Sequence, residues 1–187
     1  MSNPWRELLP TSLEIGGAEY EIRSDYRAVL DICAAARDPE LSGQDKTAVL
    51  LDIFYPAIQD MPSEQYEEAV QKCLWFIDGG TEWPPGKTPC LVDWEQDFNY
   101  IVAPINRVTG KEIRAVEYLH WWTFLGAYQE IGDCTFAQVI RIRDHMARGK
   151  KMDKQDQEWY QRNRHLVDFK MKYTEQEIEE NKTWLGL

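Results

Sequence analysis

The chain has 187 residues, with 32 Asp and Glu set against 21 Lys and Arg for a net charge of −11, which excludes nucleic acid as a main partner because affinity for phosphate backbones comes largely from Lys and Arg. A hydrophobic fraction of 43% with eight Trp excludes an intrinsically disordered chain and is enough to build the core of one folded domain. The amino terminus lacks a secretory pattern, and the most apolar stretch, residues 118–131, falls short of the ~20 residues that cross a bilayer; a soluble protein of the cytoplasm, off the membrane, is expected.

The first element is written in SLEIGGAEYEIR, where Leu13 and Ile15 alternate with polar residues before Gly16-Gly17, and Tyr20 and Ile22 do so after it. That pattern predicts a hairpin over about 12–23. Two strands alone are marginal in water, so these side chains must rest on helices or pair with strands of another copy. From Asp25 the period becomes helical, with Tyr26, Val29, Leu30 and Cys33 on one face until Asp38-Pro39. Ser42 and Asp45 predict a capped second helix carrying Val49, Leu50, Ile53 and Phe54 and stopped by Pro56. Ser63 opens a third, with Tyr66, Val70, Cys73 and Ile77 on its face and Gly79-Gly80 at its end.

Residues 79–92 hold three prolines and three glycines and predict an irregular loop within one domain, a two-lobed chain divided there being the second reading. Asp93, with Gln96 in the capping-box position, opens a helix whose Trp94, Phe98, Ile101, Ile105 and Val108 draw an apolar stripe. Pro104 predicts a kink in it. Residues 115–131 are apolar nearly all round, predicting a central helix through Trp121 and Trp122 in which Gly126 admits a neighbouring backbone. Thr135 and Gln138 form another predicted capping box for a helix with Phe136, Val139, Ile140 and Met146 that closes at Gly149. Asp153 starts a helix around Trp159 and Tyr160, and Thr174 with Glu177 offers a short acidic one. The expected fold is therefore mainly α: a compact helical domain, 1–168, of about six to eight helices with a short N-terminal hairpin, followed by an acidic tail, 169–187.

Chemistry is sparse. No phosphate loop, dinucleotide fingerprint, nucleophile elbow or HExxH motif occurs, so no catalytic residue, cofactor site or metal site is assigned and an enzyme is not expected. Glu117-x-x-His120 matches half of a di-iron pattern, but His145 and His165 lack the Glu that would complete a second copy. His120 is read as a satisfied, partly buried side chain. Asp93, Glu95 and Asp97 could face a hard cation, yet they read first as a solvated helix start. Cys33, Cys73, Cys90 and Cys134 have no metal spacing and read as structural buried thiols; nothing beside Cys134 activates it as a nucleophile. The basic stretch 141–154 carries six Lys and Arg against two Asp and reads as a solvated face, with docking to an acidic protein surface as the second reading. Trp94, Phe98, Ile101, Trp121 and Trp122 are candidates either for the core or for a partner-binding groove.

LLPTSLEIGGAEYEIR, DPELS, LWFIDGG, DWEQDFNYIVAPINRVTG and EYLHWWTFLGAYQEIGDCTF occur in that order over about residues 7–168, and together they resemble the phage "gene product fifteen" family of siphophages infecting Gram-positive bacteria. The resemblance implies a tail assembly chaperone. Such a protein coats the long helical tape measure protein, keeps it soluble, helps recruit tail tube subunits and then leaves, so it stays in the host cytoplasm and is absent from the virion. A structural tail or connector component retained in the virion is the alternative, and self-association fits either. Nothing is carried over to residues after Asp168.

Overall fold

A computed structural model describes residues 8–81 and 89–170. The protein is 62% helical, with seven α-helices and one two-stranded hairpin among the described residues, as the periodicities predict. The described residues divide into two units, 8–81 with 118–125 and 89–117 with 126–170.

In the first unit, β1 (Ser12–Ile15) pairs antiparallel with β2 (Ala18–Glu21) across Gly16 and Gly17, whose φ values of 57° and 81° suit the tight hairpin turn that only glycine enters without strain. Leu13 and Ile15 are buried while Glu14, Glu19 and Glu21 are exposed. Of the two supports open to the hairpin, the structure supplies a helix: the Gly16 N–H donates to Glu68 at 3.0 Å and the Tyr20 hydroxyl to Gln65 at 3.1 Å. Those residues open α3 (Tyr66–Ile77), which a 3-10 turn over Ser63–Gln65 precedes.

Helix α1 (Tyr26–Ala36) starts at Asp25, whose carboxylate accepts from the Arg27 N–H at 2.9 Å, and α2 (Gly43–Phe54) starts at the predicted Ser42–Asp45 capping box. The buried faces are rotated from the expected ones. In α1 they are Tyr26, Val29 and Ile32, with Leu30 and Cys33 half-buried; in α2 Leu51 and Phe54, with Val49, Leu50 and Ile53 half-buried; in α3 Ala69, Cys73 and Phe76, with Tyr66, Val70 and Ile77 half-buried. Each helix carries more apolar residues than one face holds, so periodicity gives the helix while tertiary partners choose the phase. For α1 the partner is Phe124, stacked on Tyr26 with centroids 4.8 Å apart.

The predicted helix over 115–131 is shorter than expected: α5 spans Trp121–Gln129 only, and the division between the units falls inside it, after Leu125. Its upstream half is non-helical: a 3-10 turn, Ile113–Ala115, is followed by a bend and irregular chain up to His120. The cause is pairing with the segment before α1. The Tyr26 N–H donates to the Leu119 carbonyl at 2.9 Å, the Trp121 N–H to the Ser24 carbonyl at 2.8 Å, and the Leu119 N–H to the Asp25 carboxylate at 2.9 Å. Backbone groups spent on a bridge between Asp25 and His120 cannot also serve helical turns. The close approach expected at Gly126 is absent: that residue is exposed, no atom beyond its own helix lies within 4 Å of where a Cβ would stand, and nothing in the structure explains the glycine.

In the second unit, α4 (Trp94–Thr109) runs as one helix through Pro104 and ends at Gly110. Helix α6 (Thr135–Ala147) is not capped by Thr135 as expected, because Thr135 is already helical. The cap is Cys134, extended at φ −156°, whose sulfur accepts from the Ala137 N–H at 3.4 Å, and Gln138 reaches Asp156 instead at 3.0 Å. Phe136, Val139 and Ile142 are buried, whereas Ile140 is half-buried and Met146 exposed. Helix α7 (Lys154–Val167) starts at the predicted Asp153 and bends at the non-helical Asn163; its buried residues are Asp156, Leu166 and Val167, with Trp159 and Tyr160 half-buried. The acidic helix expected at Thr174 lies outside the described residues, as do residues 82–88 of the loop over 79–92. No described helix is long and apolar enough to cross a membrane.

Candidate partner-binding surface

The five aromatic and aliphatic candidates fall in different units and differ in exposure. Ile101 on α4 is 0% exposed, and Trp94 and Phe98 on the same helix are half-buried, Trp94 set edge-on to Tyr128 at 5.1 Å. In the other unit, Trp121 is 2% exposed and Trp122 half-buried. Their indole N–H groups donate, each at 2.8 Å, to the carbonyls of Ile77 and Phe76. Two consecutive tryptophans thus bind the last two carbonyls of α3, that of Ile77 and that of Phe76, which also accepts from the Gly79 N–H at 3.1 Å. At Gly80, φ is 76° and an added Cβ would stand 2.7 Å from the Trp122 ring, so that glycine is held by conformation and by space together.

Asp93 caps α4 as predicted, accepting from the Gln96 N–H at 3.1 Å. Gln96 does not reach back. The Asp93 N–H donates to Asp97 at 2.9 Å, while Gln96 binds the chain after α7, donating to the Asp168 carbonyl at 3.0 Å and accepting from the Lys170 N–H at 2.9 Å. Asp97, expected on a solvated helix start, is 1% exposed and pairs with Arg143, 4% exposed, through bonds of 2.6 and 3.0 Å. The guanidinium also donates to the carbonyls of Leu91, Leu166 and Val167 at 2.7 to 2.9 Å, with the Phe169 ring 4.1 Å from its carbon. Burial, and the Asp97 charge after it, pushes the Tyr128 phenol up to about 12. No sequence pattern announced this pair: Arg143 lies in a run of cations and Asp97 in a run of carboxylates, and only the tertiary fold joins them.

Arg143 therefore does not belong to the solvated face expected for 141–154. Others of that run are neutralised locally: Arg141 by Asp156, Arg148 and Lys150 by Asp144, and Lys154 by Glu158. The hydrogen bond from Arg148 holds Asp144 below the usual carboxylate range. Of the four thiols only Cys73 is fully buried, and burial raises its pKa; Cys33 and Cys134 are half-buried and Cys90 is exposed, so the expectation of four buried thiols is corrected. A cysteine in an irregular stretch such as that of Cys90 has no helix face to bury it.

His120 is 4% exposed and hydrogen-bonded at both nitrogens. The Trp122 N–H donates to Nδ1 at 3.0 Å, which leaves the proton on Nε2, 3.0 Å from the Pro10 carbonyl. Glu117 is exposed at a bend outside any helix, so Glu117 and His120 do not share the helix face on which the di-iron comparison depends. No group of three or more His, Cys, Asp or Glu among the described residues could hold a metal ion.

An open groove of about 670 Å³ lies within the first unit, between the strand that leaves the hairpin, α1 and the end of α2. Ile22, Ala28, Ile53, Pro56 and Tyr118 supply its apolar lining, and Glu21 and Asp31 are exposed carboxylates beside it. Tyr118, expected inside a central helix, is instead 51% exposed, its hydroxyl sharing a hydrogen bond of 2.8 Å with Ser24.

The chain matches the family described as Bacteriophage Gp15 protein over residues 5–169. No curated protein and no solved structure is detectably similar to it.

Proposed function

Because the chain belongs to the Bacteriophage Gp15 protein family, we propose that this phage protein is a tail assembly chaperone. It binds the tape measure protein, keeps that long helical chain soluble and helps recruit tail tube subunits in the host cytoplasm, without catalysing a reaction. Membership over residues 5–169 carries a structural or assembly-related phage role; the resemblance of the DWEQDF and EYLHWWTFLG blocks to tail chaperones supports the finer reading. Its surface suits that work. Leu8, Leu74, Tyr100, Val108, Tyr118 and Met146 are each at least 40% exposed, offering apolar contacts, and a net charge of −11 keeps a coated filament in solution.

Co-expression with the tape measure protein of the same phage tests the proposal. The expected result is a soluble, co-purifying complex; a tape measure protein that stays insoluble and unbound overturns it. Mass spectrometry of purified virions is the second check, since a stoichiometric amount in mature particles favours a retained tail or connector component instead.

A further inference from the structure

We propose that the groove of the first unit docks an amphipathic protein segment carrying lysine or arginine beside its apolar side chains, an inference that rests on the reading of this protein as one that binds another phage protein. The floor is apolar, formed by Ile22, Ala28 and Ile53. Tyr118 stands at its side 51% exposed, and a large ring left in water next to an apolar depression is surface that gains by being covered. The depression is an open trough of about 670 Å³, suited to side chains presented on a polypeptide.

Charge selects the occupant. Glu21 and Asp31 are exposed carboxylates at the groove. Among the described residues the lining holds one cation, Arg23, whose guanidinium is held at the end of α2, donating to the carbonyls of Asp52 and Ile53 at 2.9 and 2.7 Å, where the negative end of the helix dipole offsets its charge. Asp25 is paired with Arg27 at 3.1 Å. The field at the mouth is thus negative, as is that of the whole chain at −11. A cationic amphipathic segment is drawn in, whereas an acidic one of equal hydrophobicity is repelled.

The test uses the full chain, labelled with ¹⁵N, titrated with a short helical peptide of leucine and lysine and with its counterpart in which glutamate replaces lysine. The expected result is that the lysine peptide shifts the amides around Ile22, Ala28, Ile53 and Tyr118 and the glutamate peptide does not. Ala28→Glu separates docking from general attraction, because it fills the floor while adding negative charge. Docking predicts affinity weakened about tenfold; attraction to an acidic surface alone predicts unchanged or tighter binding, and that outcome overturns the inference. Asp31→Lys, on an exposed residue that the fold does not need, should weaken binding as well. Absence of binding, or shifts scattered over the acidic surface, also overturns it. If the Ala28→Glu protein still co-purifies with the tape measure protein as wild type does, the groove inference fails and the chaperone reading stands; if wild type fails to co-purify, the chaperone reading fails whatever the peptides do.

Discussion

The unit of residues 8–81 and 118–125 and the unit of residues 89–117 and 126–170 rest on different physics. In the first, rings meet rings: Tyr26 stacks on Phe124, Trp121 stacks on Phe124, and Phe54 lies against Tyr55 and Phe76. The polar ends of those rings are spent on backbone, as where the buried Tyr55 hydroxyl donates to the Ala69 carbonyl at 2.8 Å. In the second, a core in which Ile101, Ile105, Val139 and Ile142 join a smaller ring cluster of Trp94, Tyr128 and the buried Phe136 is accompanied by the buried Asp97–Arg143 pair. Ring burial is non-directional and set by area, whereas one guanidinium must find a carboxylate and three carbonyls at once. The first unit rests more on ring area, the second more on one buried ion pair.

The largest test of that difference is Arg143→Ala, which leaves the Asp97 carboxylate buried without its partner and should cost about 4 kcal/mol in urea denaturation. The double change Asp97→Leu with Arg143→Met should recover most of it; if it does not, the three carbonyls, more than the carboxylate, set the stability of the pair. Phe124→Ala is next, at about 3 kcal/mol from the cavity it leaves. No second change of charge should rescue it, and hydrogen exchange should quicken first among amides of its own unit. Gly80→Ala, forced into positive φ and against Trp122, should cost about 2 kcal/mol and alter tryptophan fluorescence. Asp93→Ala removes a cap in the polar unit and Ser42→Ala one in the aromatic unit, each about 1 kcal/mol by thermal unfolding. Tyr128→Phe should change least at neutral pH. Because the folded phenol titrates near 12, above its ordinary value of about 10, its contribution is complete below pH ~10 and is lost as pH rises toward 12. Wild type should therefore lose stability in that window faster than Tyr128→Phe, with the absorbance of tyrosinate reporting the ionisation.

The same contrast governs what the sequence discloses. The hairpin at Gly16-Gly17, the Ser42–Asp45 box and the caps at Asp93 and Asp153 are local, and local turn and cap chemistry is written in adjacent letters. The phases of α1, α2 and α3 were not legible, since Leu30 or Val49 is as apolar as the neighbour that is buried in its place. The unwinding before Trp121 depends on Asp25, far away in sequence, and the Asp97–Arg143 pair joins residues on two helices. At the candidate surface, Trp94, Phe98, Ile101, Trp121 and Trp122 were visible as apolar, but the second demand on Trp121 and Trp122, a backbone carbonyl for each N–H, was not. The groove went unread because its lining comes from four separate segments of chain.

The return of residues 118–125 to the first unit has a consequence for how the chain is made. Tyr26 waits for Phe124, and Ile77 for Trp121, so nearly everything between must leave the ribosome before the aromatic unit can close. Long separations of this kind slow folding, because the entropy of a large loop is lost before its contacts form. A nascent chain halted before Trp121 has its hairpin and first three helices but lacks the rings that complete their core, and its exposed apolar faces invite aggregation. The aromatic unit begins first and is finished late, so the timing of synthesis through α5, more than the strength of any helix before it, decides when the amino-terminal half becomes a stable body.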